Sequence, residues 1–284
     1  MSVTDMFAMF KGAESFNSDI SSWDVSSVTN MSSMFEGVLQ LSEDEFQLVS
    51  SFNSDISRWD VGRVTDMKQM FIYASSFNSD ISRWDVGSVT NMWMMFHGAE
   101  SFNSDISKWN VSSVTNMYAM FAWASSFDSD ISKWNVGRVT DMGRMFDGAF
   151  SFNSDISRWD VSSVKYMEAM FFFASSFNSE LSNWNVSSVT DMGAMFMGAS
   201  SFNSNISHWN ISSVTDMNTM FYEATSFNQN LCPWGSKLPA TFYSGTTTYG
   251  GNVVYFMFTN SSCPNKSSPT DSAGPWCAVT NCTA

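Results

Sequence analysis

Basic residues are scarce in this sequence: 13 of its 284 residues are Lys or Arg, against 27 Asp or Glu, so the formal net charge is −14. A chain without surplus cations cannot neutralise many phosphates, which argues against a nucleic-acid partner. Long apolar runs are missing as well. The densest run, residues 169–174, is six residues long, whereas about 20 are needed to cross a bilayer. We therefore expect neither nucleic-acid binding nor membrane insertion.

Histidine is also rare, and the two residues, His97 and His208, lie far apart without suggesting a shared site. Carboxylates are plentiful but recur at regular intervals, whereas an active site is normally unique. A glycine-rich phosphate-binding loop is absent from the sequence. The sequence thus favours a non-enzymatic protein without a cofactor.

The four cysteines all lie in the last 53 residues, in a segment rich in Pro, Gly and Ser: Cys232, Cys263, Cys277 and Cys282. An even number in such a segment predicts two disulfides and an oxidising compartment. Four cysteines allow three pairings, of which we predict Cys232 with Cys263 and Cys277 with Cys282. No secretion signal precedes the first residues, so we interpret the chain as a fragment of an extracellular or cell-surface protein.

A repeat accounts for most of the chain, and its clearest marker is the Phe of Ser-Phe-Asn. This Phe recurs every 25 residues from Phe52 onward, after a first interval of 36: Phe16, Phe52, Phe77, Phe102, Phe127, Phe152, Phe177, Phe202 and Phe227. The longer interval predicts an 11-residue insertion within 38–50. The regular period predicts a solenoid of about nine coils over 1–227. We expect 228–284 to form an expanded last coil and a disulfide-tied cap.

Each repeat contains two apolar rhythms. Met117, Met120, Phe121 and Ala124 are spaced i, i+3, i+4 and i+7, which predicts one face of a short helix or 3-10 turn. The segment 104–107 alternates polar and apolar residues, which predicts a short strand. The expected fold is therefore an α/β repeat, with short parallel strands on one face and short helices or 3-10 turns on the other.

The repeat pattern VTxMxxMFxxAxSFNxxIxxWxVSS, found from residue 2 to about residue 234, resembles the BspA-type leucine-rich-repeat family of surface proteins. The resemblance implies a leucine-rich-repeat-like solenoid on a cell surface, in proteins often associated with adhesion and with host or matrix binding. It does not imply an enzyme, and it supplies no set of functional residues.

Identical residues at one repeat position predict rows of side chains about 4.8 Å apart in a stacked sheet. The Asn after each Phe predicts a hydrogen-bonded ladder, with Asp128 as its exception. A second row is acidic and lies three residues before a mostly basic row, which favours ion pairs between the rows; Ca²⁺ binding is the alternative. The acidic row includes Asp55, Asp80, Asp105, Asp130 and Asp155.

A Thr row precedes the apolar pattern of nearly every repeat, as Thr115 does in its own. Thr at this position suits the N-cap of the expected helix. A flat array of Thr side chains could instead order water, which leaves an ice-binding interpretation open.

Glycine alternates with large aromatic residues just before the last Ala of the apolar pattern: Tyr73, Gly98, Trp123, Gly148, Phe173 and Gly198. One interpretation is packing, in which each ring covers space left by glycine in the adjacent coils. The other is an aromatic surface for stacking on sugar rings, formed by Tyr73, Trp123 and Phe173 with Trp93 and Tyr118 nearby.

These observations predict a secreted or cell-surface binding and adhesion module that presents a repetitive surface to a protein or glycan. An alternative is a structural protein that assembles into filaments or coats, with self-association through an uncapped N-terminal end. A third is a protein that binds ice or mineral surfaces.

Overall fold

The computed structural model describes residues 2–41, 46–238, 242, 254–278 and 282. Within these residues the regular elements are two short strands, β1 (Val38–Leu41) and β2 (Phe46–Val49), and one helix, α1 (Cys232–Gly235). Turns and extended segments make up the rest of the described chain. The repeats therefore owe their order to contacts between neighbours rather than to long elements of their own.

The expected short helix at residues 117–124 is replaced by successive turns. The N–H of Met120 donates to the carbonyl of Met117 at 3.2 Å, and the N–H of Ala122 donates to that of Ala119 at 3.2 Å. Ala119 and Trp123 have φ of 51° and 58°, in the left-handed region that breaks an α-helix. The turns direct the apolar side chains inward as expected, and their hydrogen bonds span three residues instead of the four of an α-helix.

The left-handed residues turn alternate N–H groups toward the next repeat. Ala119 donates to Gly143 at 2.8 Å, and Phe121 donates to Met145 at 2.9 Å. Single parallel bridges join the residue before each buried Met, as Asn116 and Asp141 are joined. The parallel pairing between repeats therefore lies at the start of the turn segments. The segment 104–107, where a strand was expected, is extended chain that enters a turn. We propose that the chain is a solenoid with one coil per repeat.

The core consists of rows of identical rings. Phe121 lies 5.9 Å from Phe146 in the next repeat, and Trp109 and Trp134 stack at 6.4 Å with an interplanar angle of 2°. The indole N–H of Trp134 donates to the carbonyl of Ile106 at 3.0 Å, so its polar atom is satisfied in the core. Burying one such side chain contributes about 1.5–3 kcal/mol. Each repeat buries its apolar residues against its neighbours.

The Asn ladder is confirmed. The side-chain oxygen of Asn78 accepts the backbone N–H of Asn103 at 2.8 Å, and Asn103 accepts that of Asp128 at 2.9 Å. Asp128 in turn accepts from Asn153 at 2.8 Å. Only an acceptor oxygen is needed at this position, which explains why Asp replaces Asn without breaking the row.

The insertion contains an antiparallel hairpin, in which β1 pairs with β2 and Val38 is opposite Val49. Its tip, residues 42–45, lies outside the described residues. The repeats on either side still pair directly, because Met31 donates to Asp66 at 3.1 Å and Thr65 donates to Thr29 at 2.9 Å. The 11 extra residues therefore leave the register between repeats intact.

The predicted disulfide pairing is wrong: the bonds join Cys232 to Cys282 and Cys263 to Cys277. The tail folds back, so that Leu231 donates to the carbonyl of Trp276 at 3.0 Å. This return brings residue 282 to the start of α1. Phe258 continues the row of rings that includes Phe121 and Phe146, and its ring centroid lies 5.7 Å from that of Phe221. Residues 239–241 and 243–253 lie outside the described residues.

Candidate binding groove

The turn segments have one uniform and one variable side. Met, Phe and Ala point inward in nearly every repeat, whereas the outward positions differ. We call these variable positions, equivalent to 116, 118, 119, 122 and 123, the turn face, although some of their side chains, such as Ala119 and Ala122, are buried. At the position of Tyr118, successive repeats carry Trp93, Tyr118, Gly143, Glu168, Gly193 and Asn218. The chemistry of the turn face therefore changes along the stack while the backbone remains the same.

A groove of about 390 Å³ lies on the turn face where this position alternates between small and polar residues. Gly143 makes room for the Glu168 carboxylate, because a Cβ at Gly143 would overlap it. Tyr118 lies among the lining residues, and Tyr166 among them is 47% exposed. The full lining is Tyr118, Arg144, Tyr166, Glu168, Ala169, Asp191, Gly193, Ala194, Asp216, Asn218 and Thr219.

Three carboxylates of the groove lie close enough to influence one another. Burial raises the pKa of Glu168 to about 7, and the negative charges of Asp191 and Asp141 add to this effect. Burial also raises the pKa of Asp216 to about 6, again with a contribution from Asp191. The groove thus concentrates negative charge where water solvates it poorly.

Arg144 is the one basic side chain that lines the groove, and it already has a partner. Its Nη1 lies 2.9 Å from Oδ2 of Asp147, which is only 3% exposed. Burial raises the pKa of Asp147 to about 6, although Arg144 opposes the rise. Arg144 also lowers the pKa of Glu168, but its single positive charge is shared between Asp147 and the three carboxylates of the groove.

Two acceptor atoms in the groove are buried without a hydrogen bond: Oε2 of Glu168 and Oδ1 of Asn218. Asp191 and Asp216, by contrast, each accept a hydrogen bond from the backbone N–H of the second residue after them. The donors are Gly193 at 2.9 Å and Asn218 at 2.8 Å, respectively. Buried acceptors are normally paired, so the two exceptions call for an explanation.

The packing interpretation of the Gly-aromatic alternation is confirmed. A Cβ at Gly148 would lie 2.8 Å from the Trp123 ring, and one at Gly198 would overlap the ring of Phe173. Tyr73 packs edge-on against His97 at 5.3 Å. The glycines thus make room for rings from the preceding repeat.

The five predicted surface aromatics differ in their exposure. Trp123 is 44% exposed, whereas Tyr73, Trp93, Tyr118 and Phe173 are partly buried. Sequence reasoning missed the exposed rings of Phe150, Tyr166, Tyr255 and Phe256. Tyr166 could have been found, because the other repeats carry Asn or Asp at its position.

The expected ion pairs between the acidic and basic rows are wrong for the described residues. Asp105 instead accepts the N–H of Ser107 at 2.9 Å, and hydrogen bonds from Ser107 lower its pKa more than Lys108 does. The ion pairs found in the described chain lie elsewhere: Lys11–Glu36, Lys68–Asp66 and Arg144–Asp147. No group of three or more His, Cys, Asp or Glu among the described residues could hold a metal ion.

The capping role expected of the Thr row is also wrong, because no helix follows it. The hydroxyl of Thr115 donates to the carbonyl of Thr90 at 3.3 Å, and its N–H donates to the same oxygen at 3.0 Å. The row therefore joins repeats instead of capping them. Separately, the part of the chain that the structure describes has no helix of the length and apolarity that a membrane span requires.

A family model described as "Mycoplasma protein of unknown function, DUF285" matches the chain three times, over residues 1–45, 40–158 and 140–244. The three matches overlap and together include all nine Phe-marked repeats. Comparisons with curated proteins and with solved structures gave no match. The assignment to a repeat family thus agrees with the periodic hydrogen bonds, and it leaves the function to be inferred from the surface.

Proposed function

The chain belongs to the DUF285 family, and we propose that it is a non-enzymatic binding module whose turn face engages a protein or glycan partner. The observation that carries this proposal is the contrast between an almost uniform core and a turn face that includes both exposed rings and a polar groove. Trp123 and Tyr166, both on the turn face, are 44% and 47% exposed, and Phe150, two positions beyond the turn face, is 40% exposed. Large rings exposed in one region of a folded protein are typical of interaction sites.

The geometry of these rings supports a contact surface. Trp123 and Phe150 meet edge to face at 5.9 Å, and the packing of Trp123 over Gly148 holds its ring in place. A ring that is already ordered loses little conformational entropy when it binds. Successive repeats add further contacts, so weak interactions along the turn face would sum.

We further propose an extracellular or cell-surface location and the BspA-type leucine-rich-repeat subclass. The two disulfides support the location, because such bonds persist in oxidising compartments. The Met-Phe and Trp repeat supports the subclass.

The test is binding of the purified chain to an array of glycans and matrix proteins, in Ca²⁺ and then in EDTA. We expect a saturable hit that Trp123→Ala weakens at least tenfold. Leu39→Ala is the matched control, since Leu39 is 39% exposed but lies in the hairpin, outside the positions that define the turn face. Equal binding by both variants, or no saturable hit, would contradict the proposal. Loss of binding in EDTA with no effect of Trp123→Ala would favour the acidic row as a Ca²⁺ site.

Assembly is the second candidate function. Phe7, at the turn-face position equivalent to Tyr118, is 59% exposed. A surface of this kind suits a contact between copies of the chain. Sedimentation at increasing concentration tests it: assembly predicts larger species that Phe7→Asp abolishes. The ice-binding alternative predicts thermal hysteresis that depends on the Thr row.

A further inference from the structure

The groove lined by Tyr118, Tyr166 and Glu168 has more acceptors than it has donors. Glu168, Asp191 and Asp216 contribute three carboxylates, and Asn218 contributes an amide oxygen. Oε2 of Glu168 and Oδ1 of Asn218 are buried and have no partner. Neither atom is open to the groove as it stands, so a ligand that carries several N–H donors would satisfy them after the two side chains rotate toward it.

The negative charge of the groove favours a positively charged ligand. The single cation in its lining, Arg144, is bound to Asp147 at 2.9 Å. An anionic ligand would meet three carboxylates, and the chain as a whole carries −14. A metal ion is not the best match, because the described residues form no cluster of metal ligands. An ammonium or guanidinium group fits both the charge and the unpaired acceptors.

The shape of the groove suits the stem of a long basic side chain. Its volume of about 390 Å³ lies near the lower end of the range of about 300–1,000 Å³ for ligand pockets. Ala169 and Ala194 are the apolar aliphatic residues of its lining, which the methylene groups of Lys or Arg can contact. The exposed ring of Tyr166 adds a face for a cation.

We propose that this groove binds a Lys- or Arg-bearing segment of a protein partner, whose cationic group donates to Glu168 and Asn218. The inference rests on the proposed binding function and names the class of partner that one part of the turn face takes. Neutral glycans, the other class open to the turn face, would leave the negative charge of the groove uncompensated.

Affinity for such a segment should fall as the pH falls. A bound cation favours the ionised carboxylates, while burial raises the pKa of Glu168 to about 7 and that of Asp216 to about 6. Protons therefore compete with the ligand between pH 8 and pH 5. Asp141, Asp191, Arg144 and Tyr118 interact electrostatically with Glu168, and Asp216 and Tyr166 are the other titratable groups that line the groove.

Calorimetric titration with an acetylated pentalysine peptide at low ionic strength, with pentaglutamate as the negative control, tests the proposal. Glu168→Gln should weaken pentalysine binding at least tenfold at pH 8. Glu180→Gln is the matched control: it removes the same charge from an exposed residue outside the groove and should change affinity less than twofold. Equal losses in the two variants would mean that net charge alone attracts the peptide, and would overturn the proposal, as would no binding by the unmodified chain.

A second variant blocks the groove without changing its charge. Gly193→Tyr should also weaken pentalysine binding at least tenfold. Gly193 does not have a left-handed φ, and Tyr118 occupies the equivalent position in its own repeat; a Cβ at Gly193 would lie 3.3 Å from Asp191 Oδ1, a tight contact that a small shift of this carboxylate relieves. Thermal melts of each variant confirm that it is folded. Unchanged affinity in folded Gly193→Tyr would contradict the proposal.

The array and the peptide titration fail in different ways. An array hit that Trp123→Ala removes, together with pentalysine binding that Glu168→Gln leaves unchanged, keeps the binding function and overturns the groove assignment. A neutral glycan whose binding is lost in Gly193→Tyr but kept in Glu168→Gln would make the groove a glycan site, which also overturns the proposal. Peptide binding that depends on the groove, without any hit on the array, would support the groove proposal and contradict binding of the arrayed glycans and matrix proteins.

Discussion

The inward and outward sides of the turn segments share one backbone and differ in almost everything else. Inward, Phe146 is fully buried and repeats the contacts of Phe121 one step along the stack. Outward, neighbouring repeats place Tyr, Gly and Glu at equivalent positions, as in Tyr118, Gly143 and Glu168. The stack thus separates the residues that stabilise it from the residues free to bind. This separation can be tested by changing one side at a time.

The largest expected effect is on the inward side. Phe146→Ala removes a ring that lies 3.8 Å from Phe152 and 5.6 Å from Phe171, and should lower the free energy of unfolding by about 3–5 kcal/mol. Trp123→Ala, on the outward side, should lower it by less than about 1 kcal/mol. Denaturant titrations of both variants measure this difference in stability. Equal unfolding midpoints would contradict the separation of stabilising and binding residues.

The tail extends the comparison to residues held by disulfides. The two bonds have sequence separations of 50 and 14 residues, and chain entropy predicts stabilisation of about 4 and about 3 kcal/mol respectively. Replacing Cys232 and Cys282 with Ser should therefore cost more than replacing Cys263 and Cys277. Denaturant titration measures the difference, and peptide mapping of the unreduced chain checks the pairing. A Cys232–Cys263 peptide would contradict it.

The Asn ladder shares one property with each side: it is exposed like many outward residues and uniform like the inward ones. Asn103→Ala leaves the backbone N–H of Asp128 without its acceptor and should cost about 1 kcal/mol. Asn103→Asp keeps an acceptor oxygen and should cost less, as Asp128 already does in its own repeat. Chemical denaturation distinguishes them, and equal losses would show that the hydrogen bond is not the source of the stabilisation.

The smallest expected effect is the pH dependence of the groove. The folded pKa of Glu168, about 7, exceeds its ordinary value of 4.5, so the folded state binds more protons and loses stability as the pH rises through 7. Melting temperature should therefore fall slightly from pH 6.5 to pH 8. His97 acts in the opposite direction only below pH 6.5, since burial lowers its pKa to about 4.

Glu168→Gln should flatten that pH dependence, whereas Glu180→Gln should not. Because Glu168 is partly exposed, solvent screening reduces the effect to on the order of 1 kcal/mol or less. A pH dependence identical in all three proteins would assign it to other groups. The direction is opposite to that for peptide binding, which improves as Glu168 ionises.

Much of the inward side was predictable from the sequence. The recurrence of Met117, Met120 and Phe121 in every repeat identified the buried face, and the Asn row identified a hydrogen-bonded ladder. The backbone between them was not predictable, because inward side chains at i, i+3, i+4 and i+7 satisfy a helix and two successive turns equally well. The left-handed conformation of Ala119 and Trp123 distinguishes the turns from a helix, and neither Ala nor Trp is a residue type that predicts this conformation.

The sequence by itself determined the period, the core rows and the ladder, because each depends on one residue type recurring at one spacing. Only the tertiary structure decided the disulfide partners, since these follow from the path by which the tail returns to Cys232. It also decided the groove, in which Tyr118, Glu168 and Asn218 are separated by 50 residues at each step yet line one cavity. Their joint chemistry depends on stacking of repeats, which brings distant and dissimilar residues together.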